Sequence, residues 1–413
     1  MTDARTTASA LRCKGCGAYQ PLGAVYACEE CFGPLEVAYD ADRLDAVTRE
    51  GIAAGPPSMW RYRDLLPAAP VRVARLPVGL TPLVPAPRLA ERLGLGEVWV
   101  KNDGANPTHS FKDRVVAVAL AKAQEFGFEV VACASTGNLA NAVAAQAAAL
   151  GLESFVFVPA DLEPQKITAT GVYGGHVVAV DGTYDDVNRL CGELAGERPW
   201  AFVNVNLRPY YSEGSKTLAY EVAEQLGWHL PDRCVAPIAS GSLYTNIHRG
   251  FGELVTLGLA DGDVPVLDGA QAAGCGPVAA AFAEGRDWVA PVRPDTIAKS
   301  LAIGNPADGA FALETARATG GSITAVSDEE IVDGILLLAE TTGIFTETAG
   351  GVTTAALTRL ARAGAVGRHE RVVLYITGDG LKTPDAVAGA VRPIEITPTV
   401  EAFAAAFAPA LTN

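Results

Sequence analysis

The sequence contains no run of about 18 consecutive apolar residues, and this lack excludes a transmembrane helix. The first residues, MTDARTTASALR, also lack the apolar segment of a secretory signal peptide, so we expect a cytoplasmic protein. Positive charge is scarce as well, because 32 lysines and arginines stand against 47 aspartates and glutamates. The resulting formal net charge of −15 argues against nucleic acid as a partner and indicates good solubility.

Cysteine is sparse and unevenly placed. Four of the eight cysteines form two C-x-x-C pairs, CKGC and CEEC, with eleven residues between the pairs. Because cytoplasmic thiols stay reduced, such clusters favour a metal over disulfides, and this spacing is typical of a zinc knuckle. Four thiolates leave no open coordination position, so the metal would be structural. We therefore predict a zinc-knuckle segment over residues 1–40, with Cys13, Cys16, Cys28 and Cys31 as the ligands.

From about residue 95 onward, short apolar strands alternate with helices. EVWVKN, VVACAST and RVVLYITG have the length and composition of buried strands, whereas SFKDRVVAVALAKAQEFG and NLANAVAAQAAALG have those of helices. Strands of this kind separated by helices predict parallel β-α-β units and an open α/β architecture.

In open parallel sheets, ligands bind at the carboxyl ends of the strands. Four strand-to-helix loops carry polar side chains there: DGANPTHSFKDR, STGN, SGSLYTN and TGDGLK. The first loop contains Lys112, which lies between Phe111 and an apolar helix. A partly dry setting favours the unprotonated amine, which is the nucleophile that a Schiff base requires. The alternative is an ordinary solvated lysine in the first turn of a helix.

The segment SGSLYTN, at the expected start of a helix, is a candidate phosphate site, because backbone N–H groups and the helix dipole favour an anion there. It is neither a Walker loop nor a dinucleotide fingerprint. Asparagines and hydroxyls beside glycine can also serve simply as helix caps. Taken together, however, a reactive lysine, a phosphate-binding turn and a polar loop for a small acid describe a pyridoxal-phosphate enzyme.

At these loops the chain resembles the threonine synthases, which are fold-type II pyridoxal-phosphate enzymes. NPTHSFKDR is similar to their NPTGSFKDR, and ACASTGN, EGSKTLAYEV, LAIGNPADG and LYITGDGLK match further motifs in the same order, over roughly residues 75–385. The cysteine segment resembles the zinc knuckle that many bacterial and archaeal members carry. The resemblance implies a pyridoxal-phosphate-dependent carbon–oxygen lyase of threonine biosynthesis that forms a homodimer.

The resemblance also implies the domain organisation. We expect two open, mostly parallel, three-layer αβα domains of the tryptophan synthase β-like type. Residues 41–124 and 216–413 would form the large cofactor-binding domain, and residues 125–215 the smaller domain that closes on the substrate.

Carried over by motif, Lys112 is the catalytic residue and holds pyridoxal 5'-phosphate. The other cofactor-binding residues would be Phe111 and Asn138 at the ring, Gly241, Ser242, Leu243, Tyr244 and Thr245 around the phosphate, and Thr377 at the pyridine nitrogen. The substrate-binding residues would be Thr108, Ser110, Ser135, Thr136, Gly137, Asn204, Asn206 and Ser215.

The reaction implied by the resemblance converts O-phospho-L-homoserine and water to L-threonine and phosphate. Two departures from the family pattern leave alternatives open. His109 replaces the usual glycine, either as a titrating group or as a spacer, and the turn ASGSLYTN is poorer in glycine and asparagine than is usual. The alternatives are an O-phosphoserine-dependent synthase of cysteate or cysteine, a serine/threonine dehydratase, or a binder without catalysis.

Overall fold

The computed structural model describes residues 6–69, 76–135, 137–162 and 164–407. The strands are β1 (Ala8–Cys13), β2 (Tyr19–Gln20), β3 (Leu35–Tyr39), β4 (Leu83–Pro85), β5 (Glu97–Asn102), β6 (Val130–Ala134), β7 (Glu153–Pro159), β8 (His176–Val180), β9 (Ala201–Phe202), β10 (Arg233–Pro237), β11 (Val266–Ala272), β12 (Ile323–Val326) and β13 (Arg371–Ile376).

The helices are α1 (Ala41–Leu44), α2 (Arg49–Ala53), α3 (Pro87–Leu93), α4 (Lys112–Glu125), α5 (Asn138–Leu150), α6 (Pro164–Gly171), α7 (Tyr184–Glu197), α8 (Arg208–Glu213), α9 (Thr217–Gln225), α10 (Ser242–Thr256), α11 (Pro277–Ala283), α12 (Gly309–Ala318), α13 (Asp328–Thr342), α14 (Thr348–Arg362) and α15 (Val400–Phe407). Short 3-10 helices cover Met59–Leu65, Asp103–Ala105, Gly214–Lys216, Ala273–Cys275, Lys299–Leu301, Gly380–Lys382 and Pro384–Ala390. In the part of the chain that the structure describes, no helix is both long and apolar enough to cross a membrane.

Three sheets organise the described chain. A six-stranded sheet has the order β12-β11-β10-β13-β5-β4, and its strands are parallel except for β4. A four-stranded sheet has the order β8-β7-β6-β9 and is entirely parallel. The N-terminal segment forms a small antiparallel sheet in the order β2-β1-β3. The predicted α/β fold with two mostly parallel sheets is therefore confirmed.

Helix α4 lies at the centre of the molecule. It follows β5 of the six-stranded sheet and contacts α5, which packs on the four-stranded sheet, and also α8. Every residue from Asp113 to Ala123 is buried. A helix that is buried all round is held rigidly by its neighbours, so the first residue of α4, Lys112, has a fixed position between the two parallel sheets.

A buried ion-pair network fixes the start of α4. Arg114 Nε lies 2.6 Å from Asp103 Oδ2, and Arg114 Nη2 donates to Glu221 Oε2 at 2.8 Å. Lys101 Nζ lies 2.6 Å from the same Glu221 oxygen. Burial alone would raise the pKa of Glu221, but the charges of Arg114 and Lys101 outweigh it and lower that pKa to about 2. The network ties α4, α9 and β5 together behind the loop that carries Lys112.

Candidate active site

The loop before α4 is fixed against the end of β13. Phe111 N–H donates to Thr377 O at 2.9 Å, and Asp379 N–H donates to His109 O at 3.1 Å. Because β13 and β5 are neighbouring parallel strands, their C-terminal loops meet at one edge of the sheet. The structure thus brings together Lys112 and Thr377, which are 265 residues apart in sequence by subtraction of their numbers.

The amine of Lys112 has one hydroxyl and two aromatic rings around it. Its Nζ donates a hydrogen bond of 2.8 Å to Tyr211 Oη on α8. The same atom lies 4.6 Å from the centroid of the Phe111 ring and 5.5 Å from that of Tyr211. Sequence reasoning placed Phe111 here but missed Tyr211.

The two other predicted residues of this loop differ in their contacts. Thr108 donates from N–H and from Oγ1 to Asp113 Oδ2, at 2.7 and 3.0 Å, so its hydroxyl stabilises the first turn of α4. Ser110 is fully buried, and its Oγ has no hydrogen-bond partner among the described residues. An unpaired buried hydroxyl is costly, so a ligand atom that bonded to Ser110 would remove that cost.

His109 occupies the left-handed region, with φ +62°. This conformation strains any residue except glycine by roughly 1 kcal/mol, which accounts for the glycine in the related motif. The ring is exposed, and its Nδ1 lies 3.3 Å from Gly104 O. These contacts favour the spacer interpretation of His109.

The polar loop after β6 faces a buried carboxylate. Asn138 Nδ2 donates to both oxygens of Glu347, at 3.1 Å each, and burial raises the pKa of Glu347. Ser135 Oγ accepts from Gly137 N–H at 3.4 Å and from Ala140 N–H at 3.2 Å, and thereby caps α5. The predicted Thr136 lies outside the described residues.

A second contact joins α5 to the loop after β13. Lys382 Nζ donates to Asn141 Oδ1 at 3.0 Å, and burial lowers the pKa of Lys382. Helix α5, which follows β6 of the four-stranded sheet, therefore bonds at two places to segments beside the end of β13. Asn138 bonds to Glu347, and Asn141 bonds to Lys382.

The predicted phosphate turn precedes α10. Gly241 has φ +95°, and a Cβ there would lie 2.7 Å from Asp308 O, so a larger residue does not fit. The N-cap residue Gly241 has no side chain that could cap α10, and Ser242 N–H donates to Ser240 Oγ at 3.5 Å. Ser242 Oγ donates to Ser212 Oγ on α8 at 3.3 Å, and Thr245 Oγ1 donates to Gly241 O at 3.2 Å.

The side chains of Leu243 and Tyr244 belong to a different environment from that turn. Tyr244 is buried, and its hydroxyl donates to Leu267 O at 2.5 Å. Leu243 packs against the hydrophobic core cluster to which Tyr244 belongs. At these two positions only the backbone N–H groups are available to a phosphate.

Asp308 contacts the predicted phosphate turn on the side of the N-terminal segment. Its N–H donates to Ser240 O at 2.8 Å, and its carboxylate pairs with Arg208 at 3.0 Å and with Lys14 at 3.6 Å. A cavity of about 610 Å³ extends from Ser242 along α10 and is bounded by the N-terminal segment and α12. Through Lys14, the N-terminal segment therefore contacts Asp308, the residue that bonds to the predicted phosphate turn.

The remaining predicted substrate residues are not brought into one group. Asn206 uses both polar atoms within its own loop, because Oδ1 accepts from Phe202 N–H at 2.8 Å and Nδ2 donates to Trp200 O at 3.0 Å. Asn204 Oδ1 is buried and has no partner within the described ranges. Ser215 is buried in the 3-10 helix that follows α8.

The four N-terminal cysteines form a compact cluster, with all Sγ atoms within 4.8 Å of one another. Cys13 Sγ lies 3.4 Å from Cys31 Sγ, and Cys16 Sγ lies 3.7 Å from Cys28 Sγ. Zn–S bonds of about 2.3 Å in a tetrahedron place sulfurs about 3.8 Å apart, so this donor set fits zinc. A hydrogen bond from the backbone of Cys16 lowers the pKa of the Cys13 thiol to about 6.

The residues around Lys112 also fit pyridoxal phosphate. The start of α10 follows Gly241, which has no side chain, and offers backbone N–H groups to a phosphate. The buried Ser110 hydroxyl lacks a partner in the described structure. Sequence reasoning missed Tyr211, Glu347 and Lys382. The signal for Lys382 was its position in the predicted loop TGDGLK, and Glu347 lies in the segment TETAGG.

Comparison with known proteins identifies the family. The family model described as "Pyridoxal-phosphate dependent enzyme" matches residues 74–378. The threonine synthase of Methanocaldococcus jannaschii is 38% identical over 93% of this chain and 96% of its own length. This chain belongs to the threonine synthase family of pyridoxal-phosphate dependent enzymes. A second family member, from Methanosarcina acetivorans, is 38% identical over 91% of this chain and 93% of its own length.

Solved structures agree with this fold. The processed form of threonine deaminase isoform 2 from Solanum lycopersicum superposes with a TM-score of 0.65 at 21% identity, and covers 85% of this chain and 90% of its own. Maize serine racemase superposes with a TM-score of 0.62 at 19% identity, and covers 75% of this chain and 91% of its own. At such low identity, these two structures support the architecture of the threonine synthase family member described here and nothing finer.

Proposed function

We propose that this protein is a threonine synthase, a lyase that converts O-phospho-L-homoserine and water to L-threonine and phosphate. The observation that carries the proposal is the extent of the likeness: threonine synthases 38% identical to this chain match more than nine-tenths of it. The contacts that place Lys112 beside the end of β13 agree with it.

The proposed cofactor is pyridoxal 5'-phosphate, which when bound withdraws electrons from the carbons of an amino acid. Lys112 would hold it covalently, and the N–H groups at the start of α10, with Ser242, would hold its phosphate. Thr377 and Asn138 would contact its ring nitrogen and ring oxygen. The Phe111 ring would exclude water from one side of the amine.

The residues of the chain have separate tasks in the proposed reaction. N–H groups at the start of α5, beside Ser135 and Gly137, would hold the substrate carboxylate. The free amine of Lys112 would take the proton from Cα of the substrate and then from Cβ. Phosphate leaves from Cγ, a proton is added there, and water supplies the hydroxyl on Cβ, so the atoms of substrate and water appear in threonine and phosphate.

We expect the purified holoenzyme to release threonine and phosphate in equal amounts from O-phospho-L-homoserine. O-phospho-L-serine is one methylene shorter and carries its phosphate on Cβ, so it cannot yield threonine, and we expect its kcat/KM for phosphate release to be at least about 10-fold lower. The measurement is a paired assay of phosphate and amino-acid products for both substrates, together with a test for ammonia from L-threonine. Faster turnover of O-phosphoserine, or deamination of threonine without its synthesis, would move the assignment to one of the alternative pyridoxal-phosphate reactions.

We also propose that Cys13, Cys16, Cys28 and Cys31 bind one structural zinc. The Cys16→Ser variant is expected to lose the metal. Its midpoint of thermal unfolding should be lower by about 5 °C or more, because the metal no longer crosslinks the N-terminal segment. Elemental analysis and calorimetry measure the two effects. Cys275→Ser is the control, since this buried thiol lies outside the cluster. Equal zinc content in the two variants would contradict the site.

The predicted division into domains is kept as part of this proposal. The four-stranded sheet would form the domain of residues 125–215, and the six-stranded sheet the large domain. The tie between Lys382 and Asn141 crosses from one to the other and supports closure at that point. The homodimer, implied by the family, stays a prediction.

A further inference from the structure

We propose that Tyr211 positions the amine of Lys112 for proton transfer. The inference rests on the proposed function, because it assigns a task to a residue beside the proposed catalytic lysine. The observation is the hydrogen bond of 2.8 Å from Lys112 Nζ to Tyr211 Oη. No motif used in the sequence comparison pointed to this tyrosine.

The direction of Tyr211 is set by its neighbours on α8. Tyr210 is buried on another side of the helix, where its hydroxyl donates to Gly23 O and accepts from Gly23 N–H, both at 2.9 Å. Ser212 accepts a hydrogen bond from Ser242 at the phosphate turn. Successive helical residues point about 100° apart. With the Tyr210 ring buried on another side of α8 and Ser212 bonded to that turn, Tyr211 is directed toward Lys112.

The hydroxyl suits a lysine that gains and loses a proton. When the free amine of Lys112 takes a proton from a substrate carbon, it becomes an ammonium with three N–H donors. Tyr211 Oη accepts a hydrogen bond from one of these N–H groups, and the other N–H groups remain available to the substrate. The nearby rings of Phe111 and Tyr211 lie 4.6 and 5.5 Å from the nitrogen and restrict its movement. The tyrosine thus holds the nitrogen in place between two successive proton transfers.

Two tyrosine-to-phenylalanine variants separate this role from a structural one. In the holoenzyme, Tyr211→Phe is expected to lower kcat by about 10- to 100-fold with KM changed less than about 3-fold, because a misplaced base slows the chemical step and leaves substrate binding intact. Tyr210→Phe removes an equal hydroxyl from the adjacent residue and is expected to keep kcat within about 3-fold of the unsubstituted enzyme. Cofactor content and circular dichroism verify that both variants fold.

A second measurement is independent of activity. The full chain, freed of cofactor, is treated with a trace of acetic anhydride, and peptide mass spectrometry gives the acetylation of Lys112 relative to the exposed Lys299. We expect Tyr211→Phe to raise the relative acetylation of Lys112 at least about 3-fold, because the hydrogen bond that restrains the amine is lost. Tyr210→Phe should leave this ratio unchanged.

A lowered kcat together with raised acetylation in Tyr211→Phe alone supports the inference. Unchanged kcat, unchanged acetylation, or a raised KM with normal kcat would overturn it, the last by making Tyr211 a substrate-binding residue. If the unsubstituted enzyme forms no threonine, the proposed function fails, whereas the acetylation ratio still decides whether Tyr211 holds Lys112.

Discussion

Lys112→Ala is expected to abolish threonine formation, with kcat/KM reduced by roughly 10³-fold or more. The variant removes both the proposed covalent anchor of the cofactor and the base that moves protons on the substrate, and a general base alone contributes about 10²- to 10⁴-fold. The fold should persist, because the amine bonds to Tyr211 and to no other residue that the structure describes. A product assay measures the loss of threonine formation, and circular dichroism on the same preparation shows whether the fold persists.

Chemical labelling gives the corresponding test in the unsubstituted protein. Borohydride reduction followed by peptide mapping should leave the cofactor on Lys112 and on no other lysine. Lys299→Ala serves as the matched control, because Lys299 is an exposed lysine in a 3-10 helix outside the predicted site loops. This variant should retain full activity and full labelling of Lys112. A label on another residue, or normal turnover by Lys112→Ala, would refute the assignment of the catalytic lysine.

Glu221→Gln is expected to destabilise the protein by about 3–5 kcal/mol, the cost of leaving a buried charge without its partner. Glu221 is fully buried and receives hydrogen bonds from both Lys101 and Arg114. Glutamine keeps the shape and removes the charge, so the two cations keep Asp103 as their nearest remaining carboxylate in the network. Denaturant or thermal unfolding measures the change.

The matched control is Glu193→Gln, which breaks an exposed pair with Arg189 on α7 at 3.0 Å. Exposed pairs contribute little, so this variant should unfold like the parent protein. Equal stability of the two variants would show that the buried network does not stabilise the fold.

The same network predicts a dependence on pH. The folded-state pKa of Glu221 is lowered to about 2 from an ordinary value of 4.5, so its contribution is complete above pH 4.5 and is lost as the pH falls toward 2. The difference in unfolding free energy between the parent protein and Glu221→Gln should therefore shrink over that range. A difference that stays constant from pH 5 to pH 3 would contradict the lowered pKa.

The sequence predicted the elements well because their signals are local. Alternating apolar strands and helices and the loops at strand ends all depend on neighbours within a few residues, and the structure confirms the α/β fold that they indicate. The residues of the Lys112 loop and of the TGDGLK loop meet because β5 and β13 are adjacent. The rule that ligands bind at strand ends predicted that both loops lie at the same edge of the sheet, whereas their direct contact follows from the strand order in the structure.

The parts that the sequence missed depend on distant partners. Tyr211 lies in a segment without a local signature, and only packing turns it toward Lys112. Glu347 and Lys382 lie in or near predicted loops, but their partners Asn138 and Asn141 follow from packing alone. Which way a side chain points within a motif also depends on distant partners. Tyr244 belongs to the phosphate turn in sequence, yet its ring lies in the core and bonds to Leu267.

By itself, then, the sequence determined the α/β architecture, the place of Lys112 at a helix start and the kinship with threonine synthases, because periodicity and motif order are properties of the chain alone. Only the tertiary structure decided which side chains face that lysine. The reason is that the rotation of each helix about its axis is fixed by the core against which it packs, and residues a hundred positions away in sequence supply that core.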